Sequence, residues 1–180
     1  MNQQNCIQAL SSHTPFDQEE AESIAATLAF LTEQSRFWQR DNYLGHLTAS
    51  AWVIDAAMSQ VLLTHHRKFD CWLQLGGHVD AGDGSLLAAA LREAREESGI
   101  QAIEPLQPTI FDVGHHSIDT PKEPPHVHYD IRFLLVAQSW EFVVSEESNA
   151  LAWVPLAEVA TLNPSTALRR MALKLARQKA

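Results

Sequence analysis

Between Arg92 and Glu97 the chain reads Arg-Glu-Ala-Arg-Glu-Glu, and the spacing of its carboxylates decides what chemistry it can do. On a helix of about 100° per residue with Glu93 at zero, Glu96 falls near 300° and Glu97 near 40°, so all three share a sector about 100° wide. Arg95 points to the opposite side, and Arg92, four residues before Glu96, can pair with it. Like charges at this spacing cost roughly 0.2–0.5 kcal/mol per pair when exposed and more when partly buried, so a cation is expected to offset them. Hard oxygen ligands suit Mg2+ or Mn2+ far better than Zn2+. Taken alone, the pattern would also fit a solvated acidic face.

The surroundings narrow that choice. From Gly76 to Ile100 the chain runs GGHVDAGDGSLLAAALREAREESGI, which resembles the Nudix box, GX5EX7REUXEEXGU with U a bulky aliphatic residue. The second half matches from Arg92 to Ile100, with Ala94 small for its position. In the first half strict spacing puts His78 and Gly84 where the family has Gly and Glu. One inserted residue brings Gly77 and Asp83 to those places. The likeness extends over roughly residues 45 to 160 and takes in Trp153-Val154-Pro155-Leu156, which leads into a terminal helix. It implies an α/β chain with a Nudix-type α/β/α sandwich, a mixed sheet and an additional N-terminal helix.

The same resemblance implies a Mg2+- or Mn2+-dependent hydrolase that cleaves a phosphoanhydride in a nucleoside diphosphate derivative. Glu93, Glu96, Glu97 and the carbonyl of Gly76 would be the metal ligands, with Arg92 orienting a glutamate. Nudix enzymes take the proton on a box glutamate or on a carboxylate or histidine of a later loop, and Glu93 and Glu97 are the first candidates here. No SQPWPFPxS run of the NADH-cleaving group is present, and Leu62-Leu63-Thr64 begins like the coenzyme A motif before His65 breaks it, so the substrate subclass stays open. A Nudix-fold metabolite sensor without turnover is the alternative; the intact Arg92, Glu93, Glu96 and Glu97 favour catalysis.

Eight of the nine histidines lie between positions 46 and 128. His126, His128 and Asp130 alternate along an expected strand and share a face, which as an isolated signal would suit a zinc-dependent hydrolase. As an alternative, His126 and His128, with His115 and His116, contact substrate at a pocket rim. His66 and Lys68 follow a strand just before the box and are candidates for a phosphate contact. Trp52, Trp72, Phe111 and Tyr129 could stack on a base or fill the core, and Glu146-Glu147 reads as a solvated turn.

To position these groups the chain needs regular elements. Thr14 and Pro15 look like the N-cap and first residue of an amphipathic helix reaching about Gln34. Short β-type runs cover residues 47–54, 60–65 and 72–75; a helix over 86–98 is capped by Ser85 and stopped by Gly99. Strands follow over 109–113, 127–137 and 150–154. Between them, Gly114 to Pro125, with Pro121 and Pro124, reads as a long stiffened loop. Asn163-Pro164 starts a last helix. The division expected is an N-terminal helical extension, 1–44, and a hydrolase domain, 45–180.

A length of 180 residues with 46% apolar side chains suffices for one core. Residues 1–168 hold 22 acidic against 8 basic side chains, a balance that repels nucleic acid, while five basic residues in the last twelve complement a helix C-terminus. Two cysteines, no signal-like start and no long apolar run point to a cytoplasmic chain without a membrane role. The partner expected is a small nucleotide-type substrate, with a homodimer as a further option.

Overall fold

The computed structural model describes residues 1–120 and 123–178; Pro121 and Lys179 lie outside them. Two helices, α1 (Gln3–Ser12) and α2 (Gln18–Glu33), precede seven strands: β1 (His46–Ile54), β2 (Gln60–His66), β3 (Cys71–Leu73), β4 (Leu75–His78), β5 (Ile103–Thr120), β6 (Glu123–Ala137) and β7 (Ser148–Pro155). Helix α3 (Leu86–Ser98) stands between β4 and β5, and α4 (Val159–Leu162) and α5 (Thr166–Gln178) close the chain. Among the described residues, no helix is long and apolar enough to cross a membrane.

All seven strands join one mixed sheet. Its axis is the parallel pairing of β1 with β6, in which His46 lies opposite His128, Thr48 opposite Asp130 and Ile54 opposite Val136. The other edge of β1 is shared: Ile54 pairs with Val61 of β2, while Thr48 to Ala51 pair with β4. Because side chains alternate across a strand, β1 faces two ways. Leu47, Ala49, Ala51 and Val53 enter a core with Leu86, Ala89, Ala90 and Ala94 of α3 and with Leu10, Ile24 and Leu31 of α1 and α2. Trp52 and Ile54 enter a second core with Leu168, Met171 and Leu175 of α5. The expected sandwich is therefore present, and the apolar stripe of α2 is covered by the chain's own sheet.

Several local expectations change. Helix α2 begins three residues after the expected start, because Asp17 rather than Thr14 is its N-cap and accepts the Glu20 N–H. Helix α1, unpredicted, buries only Cys6 and Leu10. The run 72–75 is two strands that change partners at Gln74. In place of the expected long loop, residues 114–120 and 123–125 are the outer parts of β5 and β6, in which His116 pairs with His128 and Thr120 with Glu123. Proline is tolerated there because β6 gains its second neighbour, β1, only from His128 onward; Pro124 and Pro125 lie on a free edge.

A chain of buried ions joins the helices to the sheet. Asp112 on β5 accepts hydrogen bonds from Arg132 at 2.6 Å and from Arg170 at 2.8 and 3.1 Å, and it meets Lys174 at 2.9 Å. Lys174 also bonds the fully buried Glu20 of α2. Burial alone would raise the Asp112 carboxyl, but the three cations outweigh it and hold it below its ordinary value. Replacing Asp112 with Ala strands those cations, and the expected loss is about 3–5 kcal/mol of unfolding free energy. Urea denaturation checks this; a loss below about 1 kcal/mol would contradict the role given to Asp112.

Candidate active site

Helix α3 forms where the sequence places it. Ser85 accepts the Ala88 N–H, and Gly99 ends the helix at φ 72°, the left-handed conformation that glycine adopts without a Cβ penalty. Its alanine face lies on β1, which brings the glutamates over β4. There the two glycines matter. Gly76 has φ 142°, and a Cβ on it would come within 2.5 Å of Ser50. A Cβ on Gly77 would sit 2.7 Å from the Glu93 carboxylate, so β4 gives Glu93 room that no other residue type would leave.

The Gly76 N–H donates to Glu97 Oε2 at 3.0 Å. Glu97 is only 7% exposed. Burial pushes its carboxyl up to about 8, and the charges of Glu93, Glu147 and Glu96 push the same way against the Gly76 hydrogen bond. Glu93 is also raised, by burial first, although Arg92 opposes it. Arg92 holds the cluster together: it donates to Glu93 Oε1 at 2.9 Å, to Glu96 Oε2 at 3.0 Å and to the His78 carbonyl at 2.9 Å. It also binds both oxygens of Asp83, at 3.1 and 2.9 Å. That hydrogen bonding raises the Arg92 guanidinium and helps lower the Asp83 carboxyl against its burial. Asp83 thus clasps the box loop to the helix. Arg95 turns away, as expected, and donates to the Ile103 carbonyl at 2.9 Å. Glu97 is buried, Glu93 half-buried and Glu96 exposed; clustered carboxylate oxygens of like charge are the donor set of a hard divalent cation, and these three could hold one.

On the other face of β4 the composition changes. His46, Thr48 and Ser50 of β1, His128, Asp130 and Arg132 of β6 and His116 of β5 share this side through their registers. Asp130 is saturated: Thr48 and Ser50 donate to Oδ1 at 3.0 and 2.7 Å, Gln74 and Arg132 to Oδ2 at 3.2 and 2.7 Å. It is therefore not available to the metal set expected with His126 and His128. The imidazoles gather instead with His46 and His78, ring centroids 4.8 to 5.1 Å apart among His46, His78 and His128. Burial, and then neighbouring imidazoles, lower His128 to about 2; burial, then Arg40 and His46, lower His78 to about 4.

The expected site residues therefore fall into three groups. Gly76, Arg92, Glu93, Glu96 and Glu97 come together around β4 and α3, while His126 and His128 join the histidines. His66 ends β2 and Lys68 lies in the turn that follows, where the Lys68 N–H donates to His66 Nδ1 at 3.0 Å; the Arg40 hydrogen bond, and after it the Lys68 charge, lower Glu123, which lies 3.9 Å from His126. Trp52 and Phe111 are core residues. Sequence reasoning missed Glu147, whose charge reaches both Glu93 and Glu97, and it missed His46 and His78 as partners of His128. Only the pairing of distant strands reveals these. A cavity of about 570 Å³ between α1, the start of α3 and β5 is lined by Cys6, Leu86 and Phe133 and by none of the glutamates.

A family model described as NUDIX domain matches residues 45–174. A solved Nudix-family hydrolase from Clostridium perfringens is 23% identical over 74% of this chain and 97% of that one, with a TM-score of 0.57. An Ap4A hydrolase from C. elegans is 17% identical over 74% and 96%, TM-score 0.56. The dihydroneopterin triphosphate pyrophosphohydrolase of E. coli is 18% identical over 73% and 95%, TM-score 0.53. These are likenesses of fold. No curated protein matches the chain.

The buried Glu97 has a consequence for stability without metal. Unfolded, it releases its proton near the ordinary 4.5; folded, it holds it to about 8. Within that window the folded chain binds more protons, so this contribution to stability falls as pH rises. Glu97→Gln should therefore be the more stable protein in chelator at pH 8, by on the order of a few kcal/mol, and lose that advantage near pH 5. Urea midpoints at both pH values measure it, and an advantage independent of pH would show that Glu97 ionises normally.

Proposed function

The chain belongs to the Nudix hydrolase family, and on that premise we propose that it is a Mg2+- or Mn2+-dependent hydrolase of a phosphoanhydride bond in a nucleoside diphosphate derivative. The observation that carries this reading is the carboxylate cluster of α3 over β4: Glu97 is buried and Glu93 half-buried, and both carboxyls are raised by burial first and then by the charges of Glu96 and Glu147. Such a cluster is costly to a fold that has no use for it. Glu93, Glu96, Glu97 and the Gly76 carbonyl are the proposed ligands. A divalent ion held there would supply charge neutralisation on the phosphoryl oxygens and a lowered pKa for a water.

The chain's own groups do the positioning. Gly76 fixes Glu97 by its Oε2 and leaves Oε1 free of that bond. Arg92 fixes one oxygen each of Glu93 and Glu96, so the three carboxylates present a fixed set of donors. Glu93 or Glu97, each with a carboxyl raised by burial, is the proposed acceptor of the water's proton. His66 and Lys68 are proposed as the polar rim that meets the remainder of the substrate, the Lys68 ammonium adding positive charge to a largely acidic surface; the buried His126 and half-buried His128, on the opposite face of the sheet, are not part of that rim.

Substrate identity is an experimental question with a bounded set of answers. Nucleoside triphosphates, nucleotide sugars, ADP-ribose and dinucleoside polyphosphates with Mg2+ or Mn2+ form the screen. On the substrate found, Glu97→Gln is expected to lower kcat about a hundredfold to a thousandfold, the usual cost of losing a charge-stabilising contact. Arg95→Gln, on the far side of α3, should change turnover far less. Equal losses in steady-state hydrolysis, or full activity without Glu97, would overturn this assignment of the helix face.

A further inference from the structure

We propose that His46, His78 and His128 form a second metal site, distinct from the glutamates, that binds one divalent transition-metal ion of the Zn2+ type. One ring nitrogen from each lies within 4.8 Å of the others. A tetrahedral ion with Zn–N distances of about 2.0–2.1 Å needs its nitrogens about 3.3 Å apart, a closure within reach of small ring rotations. The scaffold is firm, because the three residues stand on three hydrogen-bonded strands: His46 is opposite His128, and His78 is opposite Thr48.

An independent observation points to a ligand. His46 is fully buried, and neither its Nε2 nor the Nε2 of His78 has a hydrogen-bond partner or contact with solvent. Buried polar atoms without a partner are rare and costly. His46 Nδ1 faces the Asn42 carbonyl at 3.4 Å, and a carbonyl can only accept. Nδ1 therefore carries the hydrogen, and the orphan Nε2 presents a lone pair. A ligand imidazole whose other N–H meets a backbone carbonyl is the usual arrangement around a metal.

The donor set also selects the ion. It consists of imidazoles alone, since Asp130 is taken up by Thr48, Ser50, Gln74 and Arg132. Imidazole suits zinc, copper or nickel, whereas Mg2+ and Mn2+ prefer oxygen. Alternation keeps the sites apart: Gly77 faces Glu93, and His78, the next residue of β4, faces the opposite side. Three imidazoles leave a fourth position open. Against it stand His126, 3.1 Å from His128 Nε2 to Nε2, and His116, its ring centroid 5.5 Å from that of His128.

The test is a titration of the metal-free full chain with Zn2+ in competition with a chromophoric chelator. One equivalent should bind to the wild type and equally to Glu93→Gln and Glu97→Gln. Binding should weaken in His78→Gln and His128→Gln by more than the roughly 10- to 100-fold that loss of an outer partner costs. His46 is buried, so the partly exposed pair is replaced instead. If those variants do not fold, Co2+ added to the wild type decides: intense visible bands of a tetrahedral site are expected, and weak octahedral bands would overturn the proposal. No binding by the wild type, unchanged binding in the folded histidine variants, or loss in the glutamate variants would each do the same.

Discussion

Nine consecutive residues of β1 run parallel to β6, from His46 opposite His128 to Ile54 opposite Val136. With both strands unbroken over that stretch, every second side chain of one stands level with its counterpart on the other, and two continuous faces result. One face is apolar along its length and receives α3, whose alanines let the helix axis come close enough for Glu93 and Glu97 to reach β4. The other is divided between Trp52 and Ile54 under α5 and a polar half that holds the histidines, Asp130 and Arg132. A slip of one residue in this pairing would exchange the two faces of β6 and dismantle both halves.

The polar half is possible only because its charges are matched. Asp130, Arg132, Asp112, Lys174 and Glu20 form an alternating series from the sheet to α5 and α2, with Arg170 as a second cation on Asp112. Each ion is expensive to bury, and each has partners on more than one element. Room for it is made by Gly114, where a Cβ would lie 2.6 Å from the Arg132 guanidinium. The series gives little net stability compared with apolar packing, yet it fixes where Arg132 and Asp130 point.

What was legible in the sequence is what depends on near neighbours. Ser85, Gly99, the shared face of Glu93, Glu96 and Glu97, the Arg92–Glu96 pair and the outward Arg95 all follow from helical spacing, and each is found in place. The alternation of His126, His128 and Asp130 was readable too, but not what they would meet. His46 and His78 reach His128 across 82 and 50 positions of chain respectively, through the parallel pairing of β1 with β6 and the antiparallel pairing of β1 with β4, registers that no local rule supplies. Prolines 124 and 125 concealed the outer pairing of β5 with β6 because their edge position depends on where β1 begins. Helix α1 has only Cys6 and Leu10 to mark its inner side, too short a stripe to recognise.

The Glu20–Lys174 contact ties the second helix of the chain to the last. Glu20 also accepts the N–H groups of Phe16 and Val113, so α2, β5 and α5 share one fully buried carboxylate. Opening either end of the chain would leave an ion of the other without its partner, and the two ends should therefore open as a single cooperative unit. In hydrogen exchange, amides of α2 and α5 would then exchange with one common free energy, although about 150 residues of sequence lie between them.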